Sequence, residues 1–155
     1  VGIQPTSLVM DCNNKLWTVT DGGYEGSPYG YEAPSLYRID AETFTIEKQF
    51  EFEFGDAPSE VQLNGTKDKI YWINDDVWEM EVTADRVPVR PFIPYNETIY
   101  YGLTVCPRTG DVYIADAIDY VQQGMIYRYS KEGKLVTISN EGDIDLVFKE
   151  LMEKL

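Results

Sequence analysis

Short apolar and aromatic segments recur along the chain, and polar turn residues separate them. Three of these segments each follow a polar turn, at 16–19, 70–73 and 112–115. A second kind reads apolar, aromatic, charged and then apolar or aromatic, at 36–39, 77–80 and 126–129. Because Val, Ile, Tyr, Trp and Phe favour extended backbone, the pattern predicts β-strands along most of the chain.

Two further strands complete each repeat. One follows a short polar turn, at 45–50, 87–92 and 135–138, and one precedes each repeat, at 7–11, 60–64 and 102–106. The anchors Leu16, Ile70 and Val112 lie 54 and then 42 residues apart. Four-stranded units at this period are typical of propeller blades. The sequence therefore predicts an all-β fold, a partial β-propeller of three four-stranded antiparallel blades, and a β-sandwich is the alternative.

The repeat places the blades at about 5–52, 58–93 and 101–139, within a region that spans 1–140. The tail, 141–155, differs, because apolar residues recur there at helical spacing: Ile144, Val147, Phe148, Leu151, Met152 and Leu155. This stripe predicts a short C-terminal amphipathic α-helix that packs against protein, over an open blade edge. A closed propeller needs four to eight blades. We therefore expect the remaining blades, or a second copy, to complete the ring.

The charge balance excludes several kinds of partner. The chain has 155 residues with 13 Lys and Arg, 27 Asp and Glu and no His, so its net charge is −14. Such a surface repels phosphate, and we expect no nucleic-acid binding. No apolar run is long enough for a membrane helix. The chain opens VGIQP, without Met and without the basic segment of a signal peptide, so we expect it to be a piece excised from a longer protein. Without His there is no Ser–His or Cys–His nucleophile pair.

The up-and-down strand order places the long connections at one end of the blades. These are 21–34, 53–58, 91–101 and 116–124, and they contain no Lys or Arg. Their tyrosines offer flat apolar area with a hydroxyl, and their carboxylates accept hydrogen bonds. The predicted ligand-binding face contains Tyr24, Tyr29, Tyr31, Asp75, Tyr95, Tyr101, Asp116, Asp119 and Tyr120. The alternative is that these tyrosines pack on their own blades and the acids are solvated.

Three aspartates, Asp21, Asp75 and Asp116, each follow the second strand of a blade. Carboxylates from three blades that converge on one axis would suit Ca²⁺, which takes six to eight oxygen ligands. The alternative for each is an Asp that accepts backbone N–H groups in a turn. No catalytic residue and no cofactor other than this possible Ca²⁺ is indicated by the sequence.

Three longer segments carry a family resemblance: PSLYRIDAETFTIEKQF, LNGTKDKIYWIND and YGLTVCPRTGDVYIADAIDYVQQGMIYRY. Together they resemble the bacterial cell-surface YVTN or surface-layer type of β-propeller, and are similar to surface cobalamin-binding propeller lipoproteins. The resemblance implies a secreted or lipid-anchored protein at the outer surface or in the periplasm of a Gram-negative bacterium. It also implies a nutrient ligand, cobalamin-like in some members, and an outer-membrane transporter as partner.

Three functions remain open on this evidence. The first is a non-catalytic binding module whose acidic, tyrosine-rich face holds a small-molecule nutrient or a partner protein. The second is a Ca²⁺-dependent propeller hydrolase of the lactonase type. The third is a purely structural repeat that assembles through its blade edges and tail. We favour the binding module.

Overall fold

All regular structure in the described residues, 1–95 and 99–139 of the computed structural model, is β. The strands are β1 Pro5–Met10, β2 Lys15–Thr20, β3 Ser35–Asp40, β4 Ile46–Glu51, β5 Ser59–Leu63, β6 Lys69–Asn74, β7 Asp76–Glu81, β8 Tyr100–Val105, β9 Val112–Asp116, β10 Met125–Tyr129 and β11 Leu135–Ser139. None of the described residues forms a helix that could cross a membrane. The tail helix predicted for 141–155 lies outside the described residues.

The strands form three antiparallel sheets in which each strand pairs with its neighbours in sequence. The first blade contains β1 to β4, the second β5 to β7, and the third β8 to β11. In the first blade, for example, Trp17 lies opposite Arg38 and Thr18 opposite Tyr37, so the two faces alternate along the strand. The prediction of an all-β partial propeller with three blades is confirmed.

The second blade differs from the prediction because it has three strands. The predicted fourth strand, 87–92, does not form; Ile93 alone makes a β-bridge, to Val77. Pro88 and Pro91 lie in this segment, and proline has no N–H to donate to a neighbouring strand. The segment therefore follows β7 as irregular chain.

Two apolar clusters join the blades. Between the first and second blades, Trp17 and Leu36 pack with Ile70 and Trp72, all fully buried. A second cluster between the second and third blades includes Tyr71, Val77, Ile114 and Tyr127. Residues 70 and 72 thus face one neighbour while 71 and 73 face the other, as expected for a strand buried on both faces. Each large side chain buried here contributes roughly 1.5–3 kcal/mol.

The tight turns lie together at the opposite end of the blades from the long loops. The Cys12 N–H donates to the Lys67 carbonyl, which joins the β1–β2 and β5–β6 turns. Cations at this end form ion pairs: Lys15 Nζ lies 2.6 Å from Asp40, and Arg128 lies 2.6 Å from Asp111. The Lys and Arg residues that the long loops lack thus neutralise acids on the turns and their adjoining strands.

Candidate functional site

The first strand of each sheet lies next to the first strand of the neighbouring sheet. β1 contacts β5, and β5 contacts β8, so these three strands are the innermost ones. The N–H of Val61 in β5 donates to Ser7 Oγ in β1 at 3.1 Å, which joins the two blades. Side chains at the ends of these strands are therefore directed to one common region near the axis.

Each innermost strand carries a β-bulge at the same end. The register shifts between Pro5 and Leu8 in β1, between Ser59 and Gln62 in β5, and between Tyr100 and Gly102 in β8. A bulge adds a residue to one strand and redirects its side chains, and bulges are frequent beside functional sites. Three bulges at equivalent positions are thus a repeated feature of these blades.

The bulges open onto a cleft of about 500 Å³, which we call the axial cleft. The innermost strands contribute six of its residues, and the others come from the long loops, the end of β6 and the tight connection between β6 and β7. Its lining consists of Thr6, Ser7, Ala57, Ser59, Glu60, Ile73, Asp75, Tyr95, Ile99, Tyr100, Tyr101 and Tyr120. All three blades therefore contribute to one concave surface.

The backbone of the axial cleft is strained at three non-glycine residues. Glu60, Asp75 and Tyr120 have φ values of 55°, 54° and 62°, in the left-handed region that favours glycine. Such residues cluster at ligand-binding and active sites, where the surrounding structure stabilises them. Glu60 lies in the bulge of β5, and Asp75 forms the tight connection between β6 and β7.

Tyrosines, hydroxyls and carboxylates dominate the chemistry of the axial cleft. Tyr101 and Tyr120 meet edge to face with ring centroids 5.7 Å apart, and both are about two-thirds exposed. Glu60 and Asp75 supply the carboxylates, and among the described residues no Lys or Arg lines this cleft. The surface can stack on a flat or apolar ligand group and accept hydrogen bonds from its donors.

Tyr100 forms the buried side of the axial cleft. It is 7% exposed, and its hydroxyl donates to the Pro94 carbonyl at 3.3 Å. Burial raises the pKa of Tyr100, and hydrogen bonding to Tyr129 raises it further. Burial also raises the pKa of Tyr129. Both side chains therefore keep their protons at neutral pH and present neutral hydroxyls.

The structure brings together four of the nine predicted binding residues. Asp75, Tyr95, Tyr101 and Tyr120 line the axial cleft. The other three tyrosines lie on the 21–34 loop and are not part of its lining: Tyr24, Tyr29 and Tyr31. Tyr29 is 89% exposed, whereas Tyr31 packs edge to face on Phe54 with centroids 5.2 Å apart.

The remaining aspartates organise loops. Asp21 Oδ1 accepts the Gly23 N–H, and Asp116 Oδ1 accepts the N–H groups of Ile99 and Ile118. Asp119 accepts hydrogen bonds from Val121 and Gln122, and the Gln122 side chain is the main cause of its lowered pKa. These bonds match the alternative interpretation, an Asp that accepts backbone N–H groups in a turn.

The three candidate Ca²⁺ ligands, Asp21, Asp75 and Asp116, do not form a cluster. Within residues 1–95 and 99–139, no group of three or more His, Cys, Asp or Glu side chains is placed to hold a metal ion. Asp116 is 2% exposed and its Oδ2 has no hydrogen-bond partner among the described residues, but it is not part of the lining of the axial cleft.

Sequence reasoning missed the contribution of the innermost strands. Thr6 and Ser7, like Ser59 and Glu60, were assigned only to strands, yet they line the axial cleft. A signal was present, because Pro5-Thr-Ser and Pro58-Ser-Glu place a proline and two polar residues at the start of equivalent strands. Polar residues there break the apolar alternation of a buried strand and indicate a surface feature.

No protein-family model matches the chain, and no functionally curated protein matches its sequence. Solved structures do match its fold. A quinoprotein alcohol dehydrogenase-like protein from Bacteroides thetaiotaomicron superposes with a TM-score of 0.68 and 15% identity, over 87% of this chain and 33% of that one.

Two further matches are enzymes by name. A gluconolactonase from Xanthomonas campestris has a TM-score of 0.62 and 12% identity over 84% of this chain and 45% of its own. A luciferin-regenerating enzyme has a TM-score of 0.61 and 23% identity over 90% and 47%. The chain thus spans a third to just under half the length of these structures. At such identities the likeness establishes the fold alone, that of a β-propeller.

Proposed function

We propose that this chain is a non-catalytic binding module that holds a small organic ligand in the axial cleft. The observation that carries the proposal is the convergence of three equivalent β-bulges, one from each blade, on a single concave surface.

The lining of the axial cleft favours a neutral or cationic ligand. Glu60 and Asp75 repel anions, and the net charge of −14 adds to that repulsion. Tyr101 and Tyr120 provide aromatic surface for a flat or apolar group, and the Ser and Thr hydroxyls can donate to ligand oxygens. A cobalamin-like nutrient, suggested by the family resemblance, meets these conditions and is our first candidate.

The test is a binding titration of the purified chain with cyanocobalamin and a panel of neutral and cationic small nutrients, measured by calorimetry. Truncation of Tyr101 or Tyr120 to Ala should weaken binding of any hit about fivefold or more, because an aromatic anchor contributes about 1 kcal/mol or more. Glu60→Gln should weaken a cationic ligand more than a neutral one.

Two control variants locate the site. Tyr29→Ala removes an exposed tyrosine outside the axial cleft, and Lys134→Ala removes a cation from the tight-turn end. Both should bind as the parent chain does. If the control variants lose binding while Tyr101→Ala and Tyr120→Ala retain it, the ligand binds elsewhere and the proposal is wrong.

The second candidate function is a Ca²⁺-dependent hydrolase of the lactonase type. It is favoured by the fold shared with the gluconolactonase and by two carboxylates, Glu60 and Asp75, in the axial cleft. Lactone hydrolysis that requires added Ca²⁺, and is lost in Glu60→Gln and Asp75→Asn, would replace the binding proposal. Absence of turnover, with ligand binding intact, would favour the module.

We place the module at the outer surface or in the periplasm of a Gram-negative bacterium, working with an outer-membrane transporter. This placement rests on the resemblance of the three quoted segments to surface propellers. The acidic lining of the axial cleft is consistent with a nutrient that is not an anion. Immunogold labelling of intact cells, with and without permeabilisation, would test it.

A further inference from the structure

Four exposed aromatic side chains lie outside the axial cleft, on the 21–34 loop and on the connection between β4 and β5. They are Tyr24, Tyr29, Tyr31 and Phe54, and their exposed fractions lie between 42% and 89%. The contact between Tyr31 and Phe54 joins the two connections. We call this surface the aromatic patch, and none of its rings lines the axial cleft.

The loop that carries the three tyrosines is ordered by hydrogen bonds along its length. Gly23 and Tyr31 form a β-bridge at its base. Nearer its tip, the Ser27 N–H donates to the Tyr24 carbonyl at 3.1 Å, and the Tyr29 N–H donates to Ser27 Oγ at 3.2 Å. The three tyrosines therefore belong to one hairpin-like loop, and its order lowers the entropy cost of binding a partner through them.

The exposure of the rings indicates the size of the partner. Tyr29 is 89% exposed, so its ring protrudes and does not form the wall of a pocket. Sites for small molecules are concave and bury most of the ligand. Exposed aromatic groups that lie close together are instead typical of protein interfaces, where pockets of the partner receive such anchors. The aromatic patch therefore suits a protein partner.

The charges beside the aromatic patch indicate the chemistry of that partner. Glu25 and Glu53 are exposed and adjoin its rings in sequence, and neither forms an ion pair with another described residue. No Lys or Arg occurs in 21–34 or in 51–58. The side chains next to the rings thus offer negative charge without a neutralising cation, which favours a positively charged partner.

Two other carboxylates of these connections have partners within the protein. Glu32 Oε1 accepts the Ile3 N–H at 2.6 Å, and Asp56 Oδ2 accepts the Asn74 side-chain amide at 3.1 Å. These two acids position the loops. The charge that a partner would meet is therefore that of Glu25 and Glu53.

We propose that the aromatic patch docks a segment of a partner protein that carries Arg or Lys side chains. A guanidinium group can lie on a tyrosine ring and pair with a carboxylate near that ring, so the rings and the acids favour the same cation. An acidic segment would face unpaired carboxylates and the net charge of −14. A neutral segment would cover the rings but desolvate the carboxylates without a countercharge.

The experiment measures the binding of a fluorescein-labelled peptide to the full chain by fluorescence anisotropy. The salt concentration is about 0.15 M, which screens attraction between distant charges. The probe is a short peptide of alternating Arg and Gly, and Gln–Gly and Glu–Gly peptides of equal length represent the neutral and acidic alternatives. We expect saturable binding of the Arg–Gly peptide, and weaker or no saturation with the other two.

Matched variants assign the binding to the aromatic patch. Phe54→Ala and Tyr29→Ala each remove a ring without a change in charge, and each should weaken binding of the Arg–Gly peptide at least threefold. Glu53→Gln should also weaken it. The controls lie on the β3–β4 turn: Phe44→Ala removes a ring that is 75% exposed, and Glu42→Gln removes an exposed acid. Both controls should bind as the parent chain does.

Three results would overturn the proposal. The first is no saturation with the Arg–Gly peptide, and the second is equal or tighter binding of the neutral or acidic peptide. The third is a loss in Glu53→Gln and Glu42→Gln alike, with none in Phe54→Ala and Tyr29→Ala, which would show general attraction to an acidic surface. All five variants replace exposed side chains, and circular dichroism would verify that they fold. Binding in the axial cleft is tested with Tyr101→Ala and Tyr120→Ala, so the two proposals can fail independently.

Discussion

Three residues at equivalent positions close the tight turns of the three blades. Asp11 Oδ1 accepts the N–H groups of Asn13 and Lys15, and Asn64 Oδ1 accepts those of Asp68 and Lys69. Cys106 occupies the same position in the third blade, and hydrogen bonds from Thr109 are the main cause of its lowered pKa. The thiol thus takes the place of an Asx side chain, which accounts for this cysteine without a catalytic role.

Asp11 also satisfies the largest buried side chain of the first blade. Its Oδ2 accepts the Trp17 Nε1–H at 2.8 Å, and Asp11 is 5% exposed. Asp11→Ala should lower the free energy of unfolding by about 2–3 kcal/mol, because it leaves a buried indole N–H and two turn N–H groups without their acceptor. Asp11→Asn keeps one acceptor oxygen and should be less harmful. Urea denaturation measures both, and a parent-like midpoint for Asp11→Ala would contradict the assignment.

The Lys15–Asp40 ion pair gives a pH dependence with a definite sign. The hydrogen bond from Lys15, assisted by those from Thr43, lowers the pKa of Asp40 from its ordinary value of 3.8. A carboxyl with a lowered pKa in the folded state stabilises the fold above its unfolded pKa, and this contribution disappears as the pH falls through the folded value.

We therefore expect Asp40→Asn to be less stable than the parent chain at pH 7. The difference in urea midpoint should stay constant down to about pH 5 and narrow below about pH 4, where Asp40 begins to protonate in the unfolded chain. Glu42→Gln, in the same turn, is the control and should shift the midpoint little at any pH. A difference in urea midpoint between Asp40→Asn and the parent chain that grows as the pH falls would contradict the predicted direction of the pH dependence.

Strands were predictable wherever the side-chain pattern alone determines pairing. β2, β6 and β9 follow from runs such as Leu16 to Val19, because apolar and aromatic residues there are buried on at least one face of each strand. The fourth strand of the second blade was predicted but does not form. Val87 to Phe92 has the apolar content of a strand, but its prolines have no N–H to donate to a neighbouring strand. The bulges of β1, β5 and β8 depend on contacts among three blades, which local pattern does not contain.

Contact between turns of neighbouring blades explains one glycine. A Cβ on Gly65 would lie 1.9 Å from the Pro107 carbonyl oxygen, so the β5–β6 and β8–β9 turns meet there backbone to backbone. Gly65→Ala should lower the free energy of unfolding by about 1–3 kcal/mol or more, because the backbone of one turn must shift. Asn13→Ala, exposed in the equivalent turn of the first blade, should be nearly neutral. Thermal and urea unfolding of the two variants would show whether the turns pack this closely.

At the two blade junctions, residues at equivalent strand positions are buried by the next blade. In the third blade the residue at this position is exposed. Leu36 in the first blade and Val77 in the second are each 0% exposed, because the next blade covers them. The equivalent residue of the third blade, Ile126, is 44% exposed. Tyr113 and Ala115 lie on the same open face, and their counterparts in the other two blades are buried as well.

The shape of the axial cleft also depends on how all three blades pack together. Its aromatic character was predictable from the long loops, which contain Tyr95, Tyr101 and Tyr120, whereas of its two carboxylates only Asp75 was predicted. The sequence did not predict which loops lie near the axis, because this depends on the orientation of the blades relative to one another. The 21–34 loop, with Tyr24 and Tyr29, extends from the first blade without reaching the lining.

The open face of the third blade should make this chain self-associate. A sheet face whose equivalents are covered at both described junctions favours contact with another blade, and a second copy can supply that blade in a solution of the chain alone. Ile126→Asp should weaken association at least tenfold, because it places a charge at the centre of that face. Val89→Asp makes a similar change at a residue that is 94% exposed on the 82–99 connection, and should leave association unchanged. Sedimentation velocity at micromolar to hundred-micromolar concentration measures both. A parent chain that stays monomeric throughout, or one whose association survives Ile126→Asp, would show that the third blade needs no further partner.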